Sequence, residues 1–375
     1  MTLQAMLGLE GRILVVAAFL VLAGLIFVGT ASAPISTRLY GDPWAMLRRQ
    51  AVAVGIGLLA LLLFWRVDYH QWAAIDDILL LGSFFLTLLT LIPHLGSGGR
   101  WLAFGPLSLQ PSEFGKIALL LYLSGSIVRR DRLLEHPRHG LLPHLFVLGL
   151  FGILFLLQPD FGMLFLYVAL TVFLLWVGGV PTGQLLLTVL FALPLGMALL
   201  FSARYRMERL LAFLNPEAYR DTVGYQLYQA LLAIGSGGAF GRGLGASRVK
   251  LFYLPAAHND FIFAVVAEEI GFLGVSIILA LYASLVILGF LVAKRAPDKL
   301  GALYALGASF LLGFQTLLNL GVVVGVVPVT GLTLPFLSYG GSSVMVSLAL
   351  VGLILGVARA SRVSQVAMVI PEGLA

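Results

Sequence analysis

The chain has 375 residues, of which 60% are hydrophobic and 11% charged, with a net charge of +6 and no cysteine. A soluble domain is about 45–50% apolar and about a quarter charged, so this composition excludes a water-soluble enzyme fold. Without cysteine there is no disulfide, thiol nucleophile or thiolate metal site, and the basic excess needs no nucleic acid, because lysine and arginine collect at cytoplasmic helix ends.

Apolar runs of about 18 residues or more, each able to span about 30 Å of hydrocarbon as a helix, recur along the whole length. In chain order the predicted helices lie near 12–33, 45–65, 73–93, 112–128, 141–157, 160–179, 184–202, 261–293, 301–326 and 335–358. So many runs follow the first that it reads as a retained anchor, not a cleaved signal peptide. The 261–293 run exceeds one upright span, and its tail is expected to tilt or extend into the cytoplasm. The expected fold class is an all-α polytopic membrane protein of about ten helices, a single transmembrane domain over 1–375.

Orientation follows from the basic residues. With the N-terminus inside, the cytoplasmic connections hold Arg12, Arg66, Arg129, Arg130, Arg132, Arg138, Lys294, Arg295, Lys299, Arg359 and Arg362. The outer ones hold Arg38, Arg48, Arg49, Arg100 and Lys116. This imbalance puts both termini in the cytoplasm and the long 203–260 segment outside, between helices seven and eight. A glycine-dense run from Gly235 to Gly245 within that segment marks an ordered loop, not a linker.

Helices two, four, six, eight and ten then begin at the outer face, with "DPWAMLRR", "LQPSEFGK", "LQPDFG", "HNDFIF" and "LPFLSYGG". Proline and an acid in a first turn are ordinary helix-start chemistry, which can account for Asp42, Glu113 or Asp160 singly. Together the starts gather positive helix ends with Arg48, Arg100 and Lys116, a combination suited to phosphate or diphosphate. Asp260 follows His258 and Asn259 on the threshold of an apolar run, placed either to cap a helix or to act as a general base. Glu268 and Glu269 lie within that run, about 12 Å and 13 Å further along a continuous helix, as structural pairs or as a relay. Ser338 and Ser342 of "SYGGSS" have no His/Asp partner pattern and read as structural or relay positions. Among the histidines, His144 reads as solvated. No HExxH, GxSxG or Walker-type pattern occurs.

"GGRWLAFGPLSLQPSEFGKIALLLYLS" (98–124), "LQPDFG" (157–162), the stretch 228–274 containing "GRGLGASRVKLFYLPAAHNDF", and "GVVPVTGLTLPFLSYGGSS" (325–343) resemble the SEDS family of FtsW, RodA and SpoVE. The resemblance covers nearly the whole chain in order and is closer to the FtsW/SpoVE type than to RodA. Ala256 and Asn259 depart from the family's common Glu and Thr. The resemblance implies a peptidoglycan glycosyltransferase of the bacterial plasma membrane. It would join lipid II units outside the cell with inversion, release polyprenyl diphosphate, and work with a class B penicillin-binding protein and other divisome or elongasome proteins. The family's essential aspartate falls on Asp260, and its other site positions on Glu113, Lys116 and Asp160. Asp260 is then the expected base, Arg48, Arg100 and Lys116 the expected diphosphate ligands, and His258 a further expected substrate-binding residue. Arg204, Arg206, Arg209 and Arg242 are held in reserve. A magnesium or manganese ion could assist the diphosphate, although no dedicated cage is visible. The alternative is a lipid II flippase or a proton-coupled transporter using Glu268 and Glu269.

Overall fold

Leucine-, valine- and alanine-rich sequence makes long helices, but the turns between them decide where the polar groups stand. The structure is a computed structural model and describes residues 8–104, 107–201 and 204–369. The side chains of Arg204 and Arg206 lie outside the described residues. Helix α1 (Leu9–Tyr40) runs through Pro34 for 32 residues. After the turn at Asp42 and Pro43, α2 (Ala45–Arg66) returns.

The predicted third span is split. Asp68 caps the six-residue α3 (Tyr69–Ala74), and α4 (Asp76–Leu89) has only 14 residues. The cause is Arg129, whose Nη1 and Nη2 hold the buried Asp76 carboxylate at 2.8 and 3.2 Å and pin the start of α4. A three-stranded antiparallel sheet then follows, of β1 (Gly96–Ser97), β2 (Trp101–Phe104) and β3 (Leu107–Leu109). This corrects the all-α expectation. Gly98 and Gly99, at φ 59° and 71°, make the tight turn between its first two strands.

Helices α5 (Pro111–Arg129), α6 (Leu142–Leu157), α7 (Phe161–Gly178) and α8 (Thr182–Phe201) follow. His144 of α6 is not solvated. Its ring is buried, with Nδ1 2.6 Å from the Gly140 carbonyl and Nε2 3.1 Å from Ser126 Oγ. The segment expected as one outer loop carries two helices of its own, α9 (Arg204–Leu214) and α10 (Tyr225–Gly237). The last three helices are α11 (Ile262–Lys294), α12 (Lys299–Val323) and α13 (Gly341–Val369).

Part of the surplus length of α11 is taken up near its start. Gly271 has φ 64° and ψ −173°, which breaks α11 into a short 262–270 helix and a long remainder. Carbonyls freed by the break are claimed by the glycine-dense loop: Arg242 N donates to Glu268 O and Gly243 N to Glu269 O, both at 3.0 Å. In return Phe272 N donates to Gly238 O at 2.9 Å and Leu273 N to Ala239 O at 3.1 Å. A Cβ on Gly271 would stand 2.2 Å from Gly241 N, so the splice tolerates no side chain there.

Two helices are buried nearly all round and form the centre. Leu119, Leu120, Leu121 and Leu123 of α5, and Val351, Leu353, Ile354 and Leu355 of α13, have no exposed surface. The outer helices instead present Phe146, Phe191 and Ile277 outward, which suits hydrocarbon. Among the described residues seven helices are long and apolar enough to cross a membrane. The architecture is that of a polytopic helical membrane protein.

Candidate active site

Several helix N-termini converge on one cavity. The turn 254–260 leads into α11, whose N-terminus has no side-chain cap, so the Asp260 carboxylate is not spent on capping. The backbone of this turn is held from behind. Asn319 Nδ2 of α12 donates to Asp260 O and Leu332 O, both at 2.7 Å. Ser338 Oγ donates to Asn259 O at 2.7 Å, and Tyr339 N donates to His258 O at 2.9 Å.

Asp260 lines a cavity of about 430 Å³, together with Arg49, Arg100, Glu113, Asp160 and Tyr339. Burial raises the pKa of Asp260 above the ordinary carboxylate value, while its own backbone N–H and the charge of Arg209 pull it back. Arg49 lies against Tyr40: Nη1 donates to the phenol oxygen at 2.8 Å and the guanidinium sits 4.4 Å from the ring centroid. Arg100 is braced by the carbonyl groups of Gln158, at 2.9 Å, and Pro159, and its Nε lies 3.8 Å from Asp160 Oδ2. Asp160 also caps α7 through Met163 N at 3.2 Å. Its pKa is raised by burial, against the pull of Arg100.

The predicted site residues divide accordingly. Asp260, Arg100, Glu113 and Asp160 share the cavity, and Arg48 does not. Arg48 points outward to pair with Asp42, and its neighbour Arg49 takes the inner position, because adjacent helical residues are turned by about 100°. Lys116 lies behind the wall, buried between Glu113 Oε2 and Gln315 Oε1, each at 2.6 Å. That ion pair engages its charge, so Lys116 holds Glu113 and does not line the cavity. His258 is outside the lining; burial lowers its pKa to about 4, so its ring is neutral at physiological pH. Ser342 Oγ accepts from Gln110 N at 2.8 Å and Ser338 Oγ from Leu334 N at 2.8 Å, so both tie loops together.

Glu268, Glu269 and Arg242 form a separate cluster. Glu268 accepts from Ser247 Oγ at 2.6 Å, Ser236 Oγ at 3.2 Å and the backbone N–H groups of Arg248 and Val249 at 3.1 and 3.3 Å. Arg242 Nη1 lies 3.5 Å from it. Glu269 binds Lys250 Nζ at 2.8 Å and Thr30 Oγ1 at 3.2 Å. The break at Gly271 removes the continuous helix along which these acids were to lie beyond Asp260; they instead fasten the glycine-dense loop.

Sequence reasoning missed Arg49, Asn319, Gln315 and Tyr339. Gln315 and Asn319 stand at i and i+4 of an apolar helix, and that spacing was the available signal. Arg49 had no such signal beyond adjacency to Arg48.

These features define a polytopic membrane protein whose helix N-termini, two arginines and a set of buried carboxylates meet in one cavity. The chain belongs to the FtsW/RodA/SpoVE family of cell cycle proteins, whose family model matches residues 11–363. It is 38% identical to the probable peptidoglycan glycosyltransferase FtsW of Geobacter sp. (strain M18), over 95% of this chain and 98% of that protein. It is also 38% identical to the stage V sporulation protein E of Bacillus subtilis (strain 168), over 93% and 97%. Among solved structures it resembles a chain of a peptidoglycan synthase complex that coordinates polymerization and crosslinking, with TM-score 0.77 and 34% identity over 93% of this chain and 97% of that one. The rod shape determining protein RodA of Thermus thermophilus matches with TM-score 0.66 and 33% identity over 92% and 95%.

Proposed function

We propose that this chain is a peptidoglycan glycosyltransferase that joins lipid II units into glycan strands at the outer face of the bacterial plasma membrane. The observation that carries the reading is the cavity itself, where the uncapped, pKa-raised Asp260 shares walls with Arg49 and Arg100. The acceptor's sugar hydroxyl attacks the donor's anomeric carbon. The new C–O bond forms as the bond to the diphosphate breaks, and the polyprenyl diphosphate leaves with that electron pair. Asp260 accepts the hydroxyl proton, and a base with a raised pKa is better matched to that task near neutral pH. Arg49, Arg100 and the helix N-termini stabilise charge as it develops on the leaving diphosphate. Attack opposite the leaving group inverts the anomeric centre.

Among the described residues no three His, Cys, Asp or Glu side chains stand together to hold a metal ion. A magnesium or manganese ion would accompany the diphosphate, and no step is routed through it. The transporter alternative draws no support from Glu268 and Glu269, because both are bound by loop residues away from the cavity.

Several finer points belong to the same reading. Ten spans, counting α4, α5 and α8 as crossing, leave both termini in the cytoplasm and the cavity outside. The FtsW-type branch is supported by the FtsW and stage V sporulation relatives. A class B penicillin-binding protein is the proposed partner, supported by the synthase complex that the fold resembles.

The test is purified protein in detergent with labelled lipid II, where a flippase has no second leaflet to serve. Wild type should make glycan polymer, and Asp260→Asn should lose about 10²–10⁴-fold in rate while melting near wild type. A well-folded Asp260→Asn protein that polymerises at more than about a tenth of the wild-type rate would refute the base assignment.

A further inference from the structure

A glycosyl transfer between two lipid-linked sugars needs both substrates bound at once. The cavity of about 430 Å³ lies toward the small end of the range that one ligand of moderate size fills, so it is matched to one disaccharide diphosphate. A second cavity, of about 300 Å³, lies beside it. Its walls include Arg209 of α9, Val223, Leu227 of α10, Pro255 and Val329. Pro255 belongs to the same turn as Asp260, and Val329 lies two residues before Gly331 of the first cavity.

The two cavities therefore share a partition made of two chain segments, 255–260 and 329–333, each lining one cavity at one end and the other at its far end. Asn319 ties the segments together through the carbonyl groups of Asp260 and Leu332. Each side of the partition has arginine: Arg49 and Arg100 on one, Arg209 on the other. Arg209 is also close enough for its charge to act on Asp260. A guanidinium is well matched to a phosphate through paired N–H donors.

We propose that the second cavity, with Arg209, holds the diphosphate of the acceptor lipid, so that donor and acceptor approach Asp260 from opposite faces of one partition. This rests on the glycosyltransferase reading and deepens it. The donor diphosphate is held by Arg49 and Arg100, and the acceptor's terminal sugar reaches over the edge of the partition to present its hydroxyl to Asp260. Nothing else in the first cavity has to accommodate a second headgroup.

The experiment counts fluorescent lipid II bound per chain in nanodiscs, using Asp260→Asn protein to prevent turnover. Two variants are added to that background: Arg209→Gln, which removes the charge, and Val223→Trp, which fills the second cavity from a position that is already 43% exposed. The parent should bind two lipids per chain. Arg209→Gln should weaken one of the two sites at least tenfold, and Val223→Trp should leave one. A parent that binds a single lipid, or variants that both keep two sites of unchanged affinity, would overturn the proposal. The same two substitutions in active protein should lower polymer yield at least tenfold. If Arg209 merely tuned Asp260, Arg209→Gln would shift the pH–rate profile and leave the lipid count at two, which also refutes the acceptor site. Failure of the enzyme reading is distinct, since it appears as a wild-type protein that makes no polymer.

Discussion

At the scale of single residues, the same side chain type does opposite work according to its partners. Asp260 is half-buried on a cavity, and burial raises its pKa. A base must be unprotonated, so the rate of polymerisation should fall as pH drops through this raised pKa, at a pH above the ordinary aspartate value. A pH–rate profile whose acid limb sits at the unperturbed aspartate value would contradict the assignment. Glu268 is also buried but accepts four hydrogen bonds and faces Arg242. Glu268→Gln should cost about 2 kcal/mol, since hydrogen bonds to a charged group are worth about 1.5–3 kcal/mol each. Its melting temperature should fall below that of Asp260→Asn. His70 gives a third case: burial disfavours its charged form, yet Asp68 and Asp298, at 2.7 and 2.8 Å, raise its pKa overall. A raised folded-state pKa adds stability that is complete below the unfolded value and lost as pH rises through the folded one. Melting curves across neutral pH should show a small loss on the alkaline side that His70→Asn lacks; the loss is small because the ring is exposed.

At the scale of elements, the splice between the glycine-dense loop and the broken α11 sets where Asp260 stands. The loop was legible as ordered from its glycines. Its docking was not, because the carbonyl groups it satisfies become available only when the helix breaks at Gly271. Gly271→Ala forces a side chain into a left-handed position and against Gly241. We expect a loss of at least about 3 kcal/mol, read as a lower melting temperature with release of the 236–250 segment to proteolysis. An alanine variant that melts like wild type would mean the splice is not what holds this loop. The small sheet of β1, β2 and β3 escaped notice for a different reason. Strands of two to four residues are too short to show an alternating pattern. The α3–α4 break was hidden too, since the pair that causes it joins Asp76 to Arg129, 53 residues away.

At the scale of the whole molecule, the proposed orientation puts residues 204–260 outside the cell and the 130–141 connection inside. The chain has no cysteine, so single cysteines report cleanly. Ala218 and Arg138 are both exposed and suit this purpose. Lys299 does not, because it binds Asp131 and the Gly178 carbonyl. A membrane-impermeant thiol reagent on intact cells should label Ala218→Cys and spare Arg138→Cys; the reverse pattern would place the cavity in the cytoplasm and end the lipid II reading. Affinity purification from native membranes should also recover a penicillin-binding protein, visible with a fluorescent β-lactam. Repeated recovery of the chain alone would count against the proposed partner.

Hydrophobicity sums along a chain, so the sequence alone determined that this protein lives in a bilayer as a bundle of helices. Its basic residues and helix-start prolines marked one end for chemistry, and Asp260 stood out because a carboxylate at an apolar threshold is costly. Which side chains share a cavity is a different kind of fact. It depends on how each helix is rotated and on contacts between distant segments, such as Gln50 Nε2 with Ser338 O, 288 residues apart. Rotation chose Arg49 over Arg48, and the Glu113 and Gln315 pairing withdrew Lys116. The break at Gly271 let the loop bind Glu268 and Glu269. Those outcomes are energies of packing and pairing between elements, and only the tertiary structure brings the elements together.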